Sequence, residues 1–311
     1  MKIYDFNDVK LSGRMYGGLS GSKLGIILDN ENWIIKFPKN TRNFDNVDIS
    51  YTTSPLSEYL GSHIYESIGI DVHKTILGIK DKKLVVACRD FKQNGEVLYE
   101  FREIKNEYVK DLEEKLESST TSNYGADINE LILIMNNNPT FIKNPNLKKR
   151  FWIMFLIDAF IGNNDRNNGN WGILYNESKS TSRLAPVYDN GASFSSKLSD
   201  EKIFNIMNNE DSFINSVYLS RVCSFYEFDK KINPLKYLEK MDNLELNEVI
   251  LEIVPRINLG KIHEIIYELP NKIDDIEIIS DIKKDFYYKS LEYRYNNILL
   301  PIYNKLVSNK I

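Results

Sequence analysis

A carboxylate and a carboxamide five positions apart, Asp165 and Asn170, stand in the dense polar loop Ile161-Gly162-Asn163-Asn164-Asp165-Arg166-Asn167-Asn168-Gly169-Asn170-Trp171-Gly172-Ile173-Leu174. Phosphoryl transfer uses this pairing: the acid orients the attacking hydroxyl and accepts its proton, and the amide oxygen binds Mg²⁺ against the phosphates. D-x4-N fixes only two positions, and loop Asn and Asp side chains often satisfy their own backbone. A second acid, Asp189 in Pro186-Val187-Tyr188-Asp189-Asn190-Gly191, ends a short apolar strand. If that strand pairs with the one after Asn170, a hairpin brings Asp189 beside Asn170 as a further hard-oxygen Mg²⁺ ligand; in isolation Asp-Asn-Gly is an ordinary turn. Lys36 sits in Trp33-Ile34-Ile35-Lys36-Phe37, a run fit for burial, where an ammonium needs a counter-charge. Glu58, 22 residues on, and bound phosphate oxygens would supply it. Last, Tyr16 to Gly25 is a glycine- and serine-rich turn. Gly17, Gly18 and Gly21 let backbone N–H groups approach phosphate, and Ser20 and Ser22 add donors or could themselves receive phosphate. A strand follows rather than a helix, so this is no Walker A loop.

Such residues must be brought together by two bodies of different construction. Residues 1 to about 90 read as short strands, Leu24 to Leu28, Trp33 to Phe37, His73 to Ile79 and Lys83 to Cys88, separated by turn residues. One helix interrupts them, Ser54 to Ile68, with Ser54 as N-cap, Pro55 in the first turn, and Leu56, Leu60, Ile64 and Ile68 recurring every four residues. Beyond Glu96 the pattern is helical: Leu98 to Leu116, Ile128 to Met135, Leu147 to Ile161, Leu246 to Val254, Ile262 to Tyr267 and Ile282 to Val307. Two short strands, Trp171 to Tyr175 and Arg183 to Val187, lie in their midst. The expected fold is α+β and two-lobed like a protein kinase, a β-rich N-lobe over 1–91 and a larger helical C-lobe over 92–311, joined at Cys88 to Gly95. Glu117 to Gly125 reads as an exposed polar loop, and the tyrosines at 287, 288, 293 and 295 as a helix packed on the larger lobe.

Composition narrows the function. The 311 residues are 42% apolar and 27% charged, the balance of a globular chain, with a net charge of −4. That sign removes the electrostatic case for nucleic acid as an obligate partner. Two distant cysteines, Cys88 and Cys223, and three histidines give no zinc spacing. The first ten residues lack an apolar signal core, and the longest apolar stretch, Phe151 to Gly162, is short and broken by Asp158, so neither a signal peptide nor a membrane span is expected. Cytoplasm is the expected compartment.

Glycine-rich turn, strand lysine, helix glutamate, hinge, Asp-x4-Asn loop and strand-end Asp-x-Gly occur in that order, and independent coincidence of all six is improbable. Here the sequence resembles the HipA-like serine/threonine kinases, and within them the compact CtkA-type group. Ser50-Tyr51-Thr52, Ser57-Glu58-Tyr59, Val85-Val86-Ala87-Cys88-Arg89-Asp90-Phe91, the Gly162 to Gly172 loop and Pro255-Arg256-Ile257 carry the resemblance from about residue 13 to 270. It implies ATP and Mg²⁺ as cofactors, Asp165 as the catalytic aspartate, Asn170 and Asp189 as metal ligands, and Lys36 as the phosphate-contacting lysine with Glu58 its partner. The backbone of Ala87 and Arg89 would face adenine, with Asp90 near the ribose. Ser20 or Ser22 would be a site of silencing autophosphorylation, because a phosphate there repels those of the nucleotide. Substrates would be proteins carrying Ser or Thr, and the kinship raises an antitoxin-like protein partner. Two departures stand out. Asn167 occupies the position where the family often has His, and a glycine-rich turn starting by Gly17 leaves no room for the amino-terminal segment of full-length HipA toxins. Two other readings share the residues: an ATP-binding regulatory module without catalysis, and a small-molecule or lipid kinase on the same fold.

Overall fold

The computed structural model describes residues 2–14, 23–108 and 127–309. A five-stranded sheet draws all its strands from the first 89 residues, in the order β1-β4-β5-β3-β2: β1 Tyr4–Asp5, β2 Lys23–Leu28, β3 Glu31–Lys36, β4 Thr75–Lys80 and β5 Lys83–Arg89. Only β1 on β4 is parallel. The two hairpins close on two-residue loops, Asp29-Asn30 and Asp81-Lys82, whose residues all have positive φ. Such turns match the twist of the strands they join and fix the register within each hairpin, with Lys36 opposite Lys23; where the hairpins meet, β3 pairs β5 and Lys36 lies opposite Val86. Helix α1, Ser54–Ser67, packs on this sheet with Leu56, Leu60 and Ile64 fully buried. Its N-cap position falls on Thr53 rather than the expected Ser54, because the Thr53 carbonyl accepts the first bond of the helix, from the Ser57 N–H at 2.9 Å.

The second lobe is built on α5, Pro145–Ile161, which from Phe151 onward is buried on every face. A helix apolar all round belongs in the middle of a core, and here α8 (Pro234–Lys240), α9 (Leu244–Ile253) and α11 (Asp281–Arg294) surround it. Gly162, at φ +71, ends it in the left-handed conformation and turns the chain into the Asp165 loop.

Two expected helices differ. Leu98 to Leu116 begins as a strand, β6 (Glu96–Glu100), before α2 (Phe101–Tyr108) starts. Pairing decides this: β6 lies against β7 (Gly172–Asn176), which in turn pairs β8 (Thr181–Leu184). Phe101 then stacks on Trp171 with ring centroids 4.3 Å apart, which fixes where the helix begins. The expected Ile282 to Val307 helix is α11, a π-helical turn at Tyr295–Leu299, and α12 (Leu300–Ser308). Pro301 cannot donate to the preceding turn, and the widened turn before it absorbs the missing bond. Tyr287 is buried against Phe194, in keeping with packing on the large lobe. The polar run Glu117 to Gly125 lies outside the described residues.

Candidate active site

Strand β3 delivers Lys36 to the gap between the lobes, and two carboxylates meet it there. Its Nζ lies 2.9 Å from Glu58 Oε2 on α1 and 2.9 Å from Asp189 Oδ1. Burial alone would lower the lysine's pKa, but Asp189 and then Glu58 outweigh it and hold the ammonium well above its ordinary value. Glu58 is itself saturated: Oε1 accepts from His73 Nε2 at 2.9 Å and from the Asn190 N–H at 2.9 Å. Desolvation would raise the Glu58 pKa, and the Lys36 ammonium followed by His73 overrides it, leaving the group anionic. Glu58, His73 and Cys88 gather their donor atoms within 4.8 Å. This is a back wall rather than a metal centre, since the carboxylate is spent on Lys36 and burial pushes the thiol pKa up, away from the thiolate a metal would need. Both cysteines are free and buried.

The Asp165 loop is held from beneath by a group the sequence reading passed over. Asp158, at 4% exposure inside α5, takes Arg166 in a fork, Nε to Oδ2 at 2.7 Å and Nη2 to Oδ1 at 3.1 Å. The same guanidinium donates to the carbonyls of Asn170 and Tyr188 and, at 2.6 Å, to Asn190 Oδ1. One buried cation therefore staples the Asp165–Asn170 loop to the Asp189 turn, a bidentate arrangement that lysine cannot reproduce. Tyr65 and Asn163 fill the remaining acceptor sites of Asp158. The available signal was an acid inside an otherwise apolar helix, which demands a buried cation.

Asp165 itself faces the cleft. Desolvation by the cleft walls, and then the Asp189 carboxylate, push its pKa upward, while Lys39 and Asn167 pull it down. Asn167 Nδ2 reaches Asp165 Oδ1 at 3.4 Å, so the residue standing where the family often has histidine helps orient the acid. Asn170 is buried just behind the loop, its Nδ2 donating to the Asp165 carbonyl at 2.8 Å. Asp189 adopts φ +63, an uncommon left-handed conformation for a non-glycine residue and one that functional turns often hold. Asn170 Oδ1 and Asp189 Oδ2 accept no hydrogen bond among the described residues, which leaves two hard oxygens of the kind Mg²⁺ takes; the donor set fits that ion. Lys36, Glu58, Asp165 and Asp189 line one cleft of about 610 Å³, roomy enough for a nucleotide tail.

Not every expected contact is placed there. Ala87 lies mid-strand between Ile35 and Ile76, and the Arg89 N–H is spent on the Lys74 carbonyl at 2.9 Å. That the backbone of Ala87 and Arg89 faces adenine is part of the functional proposal. Asp90 accepts from Arg14 at 3.4 Å and from the Lys92 N–H at 3.1 Å. Gly17, Gly18, Ser20, Gly21 and Ser22 lie outside the described residues.

A β-sheet lobe carrying a lysine paired to a helix glutamate, over a helical lobe carrying the Asp165 loop and Asp189, defines a kinase of the serine/threonine class, and the chain belongs to the HipA-like C-terminal domain family, whose sequence model matches residues 17–256. Among curated relatives it is 32% identical over 302 residues, 96% of this chain and 87% of the relative, to the serine/threonine-protein kinase CtkA of Helicobacter pylori. The crystal structure of a Helicobacter pylori proinflammatory kinase CtkA superposes with a TM-score of 0.85 at 29% identity, covering 98% of this chain and 99% of that one. HipA of Shewanella oneidensis, solved in a complex with HipB and operator DNA, shares the fold at a TM-score of 0.51 and 15% identity, covering 98% of this chain and 69% of its own.

Proposed function

We propose that this chain transfers the γ-phosphoryl group of ATP, with Mg²⁺, to serine or threonine hydroxyls of a protein. The observation that carries the reading is Lys36 bonded at once to Glu58 and Asp189, in the cleft that also holds Asp165. Lys36 would contact the nucleotide phosphates, positioned by Glu58. Asp165 would orient the acceptor hydroxyl and take its proton as the oxygen–phosphorus bond forms and the bond to ADP breaks. A Mg²⁺ held by Asn170 and Asp189 would neutralise charge on the β- and γ-phosphates. The protein's part is positioning and charge, with no covalent intermediate.

We extend this to autophosphorylation of Ser20 or Ser22, to a cytoplasmic location and, on family kinship, to an antitoxin-like partner. Mass spectrometry of the protein after incubation with ATP and Mg²⁺ tests the core of the reading: phosphate on serine or threonine supports it, and turnover confined to small molecules or lipids, or nucleotide binding without transfer, contradicts it.

A further inference from the structure

Three cations line the catalytic cleft with no carboxylate within ion-pair distance among the described residues: Lys39, Lys197 and Arg221. Arg221 is the unusual one. Its Nη1 donates to Ser195 Oγ at 3.2 Å and its Nη2 to the Gly162 carbonyl. Behind it, Arg294 donates to the carbonyls of Phe160 and Val217, each at 2.8 Å. A Cβ on Gly162 would fall 2.7 Å from one guanidinium and 3.2 Å from the other, so both converge on the C-terminus of α5. A helix C-terminus carries only about half a negative charge, against two full positive ones. Desolvation lowers the pKa of both arginines, and Arg221 adds to the effect on Arg294. The balance at the end of α5 is a cationic excess, with Arg221 on the cleft wall and Arg294 buried behind it, where an uncompensated charge is costly.

Its position separates this excess from the nucleotide machinery. Lys36 answers to Glu58 and Asp189, whereas Arg221 is tied to Gly162 and Ser195, neither of which touches Lys36. The segment leading to it is a π-helical turn, Asn215–Leu219, a geometry found often at functional sites, and it adds Ser216 to the cleft wall. Lys197, solvent-exposed, lies over the Phe44 ring at 4.3 Å with its ammonium free for a further anion.

Resting on the kinase reading above, we propose that Arg221, with Lys197 and Lys39, binds an anionic side chain, phosphate or carboxylate, on the substrate residue flanking the acceptor Ser or Thr. A guanidinium gives a planar fork to either anion, and the lysines add point charge. This makes the enzyme selective for acidic or already phosphorylated sequences.

The test is direct binding, read by fluorescence anisotropy of short labelled peptides whose residue next to the acceptor is phosphoserine, Asp, Ala or Lys, alongside phosphate transfer to the same peptides. The wild-type protein is expected to bind the phosphoserine and Asp peptides at least about tenfold more tightly than the Ala peptide, and their ratio separates phosphate from carboxylate. Lys197→Glu, at an exposed position, should turn the preference toward the Lys peptide, and Arg221→Gln, checked for folding by circular dichroism, should remove the gain from phosphate. Equal binding of all four peptides, a preference that survives both substitutions, or displacement of the anionic peptide by a non-hydrolysable ATP analogue would overturn the proposal. Failure of the kinase reading looks different: the binding preference persists and no peptide receives phosphate.

Discussion

Glu58 serves three elements at once, holding Lys36 of β3, His73 after α1 and the Asn190 backbone beyond Asp189. Its carboxyl pKa lies well below the ordinary 4.5. A depressed folded-state pKa means that the ionised group stabilises the fold fully above its unfolded value, and that this contribution fades as pH falls from there toward the folded value. Glu58→Gln should therefore cost on the order of 3 kcal/mol at pH 7, with the gap to wild type shrinking below about pH 4.5. Urea denaturation at pH 7 and pH 4 checks both; a gap that stays constant with pH would contradict the ionic role. The raised pKa of Asp165 acts with the opposite sign on catalysis. A base must be deprotonated, so the acid limb of the rate profile should sit above the ordinary carboxylate range, and Asp165→Asn should abolish that limb along with most of the turnover.

Helix α1 must approach the Asp189 turn closely for any of this to hold, and Gly61 is the residue that permits it. A Cβ there would lie 2.8 Å from Asn190 Cβ and 3.4 Å from Ile161 Cδ1. Gly61→Ala should gain up to about 1 kcal/mol of helix propensity and lose about 1–3 to overpacking. The variant should show a lower melting temperature and a fall in turnover of about tenfold as α1 is pushed off Asn190; a more stable variant of full activity would contradict this role of Gly61. The four-residue apolar spacing of α1 and the apolar run of α5 were legible in the chain because both signals are local. The β6 boundary was not. Leu98 to Leu116 is compatible with a helix until β7, some 70 residues later, claims Glu96–Glu100 as a partner. Likewise Asp158 read as a mere interruption of an apolar helix, since its partner Arg166 acquires meaning only when the chain turns at Gly162.

Taken as a whole, the molecule closes its two lobes on each other through backbone bonds as well as side chains. Val187 donates to the Asp71 carbonyl and accepts from the His73 N–H, and Thr53 donates to Ser196. The motif order along the sequence disclosed which residues converge; it did not disclose the floor beneath them, where one arginine joins the two loops. The two lobes hold Lys36 and Glu58 together at 2.9 Å on the cleft wall, where the lysine would meet the nucleotide phosphates. ATP analogue with Mg²⁺ at a hundred times its dissociation constant should then stabilise the protein by about 2.7 kcal/mol, seen as a higher melting temperature that EDTA reduces. An unchanged melting curve would remove the nucleotide from the account.

The most direct measurement is transfer of labelled γ-phosphate by wild-type protein, Asp165→Asn and Asp189→Asn, each shown by circular dichroism to be folded, with Mg²⁺ and a generic serine-rich protein. Label should appear on wild-type protein and on the substrate, with a loss of about a hundredfold or more in each variant. Label transferred at the wild-type rate by both variants would contradict the kinase reading.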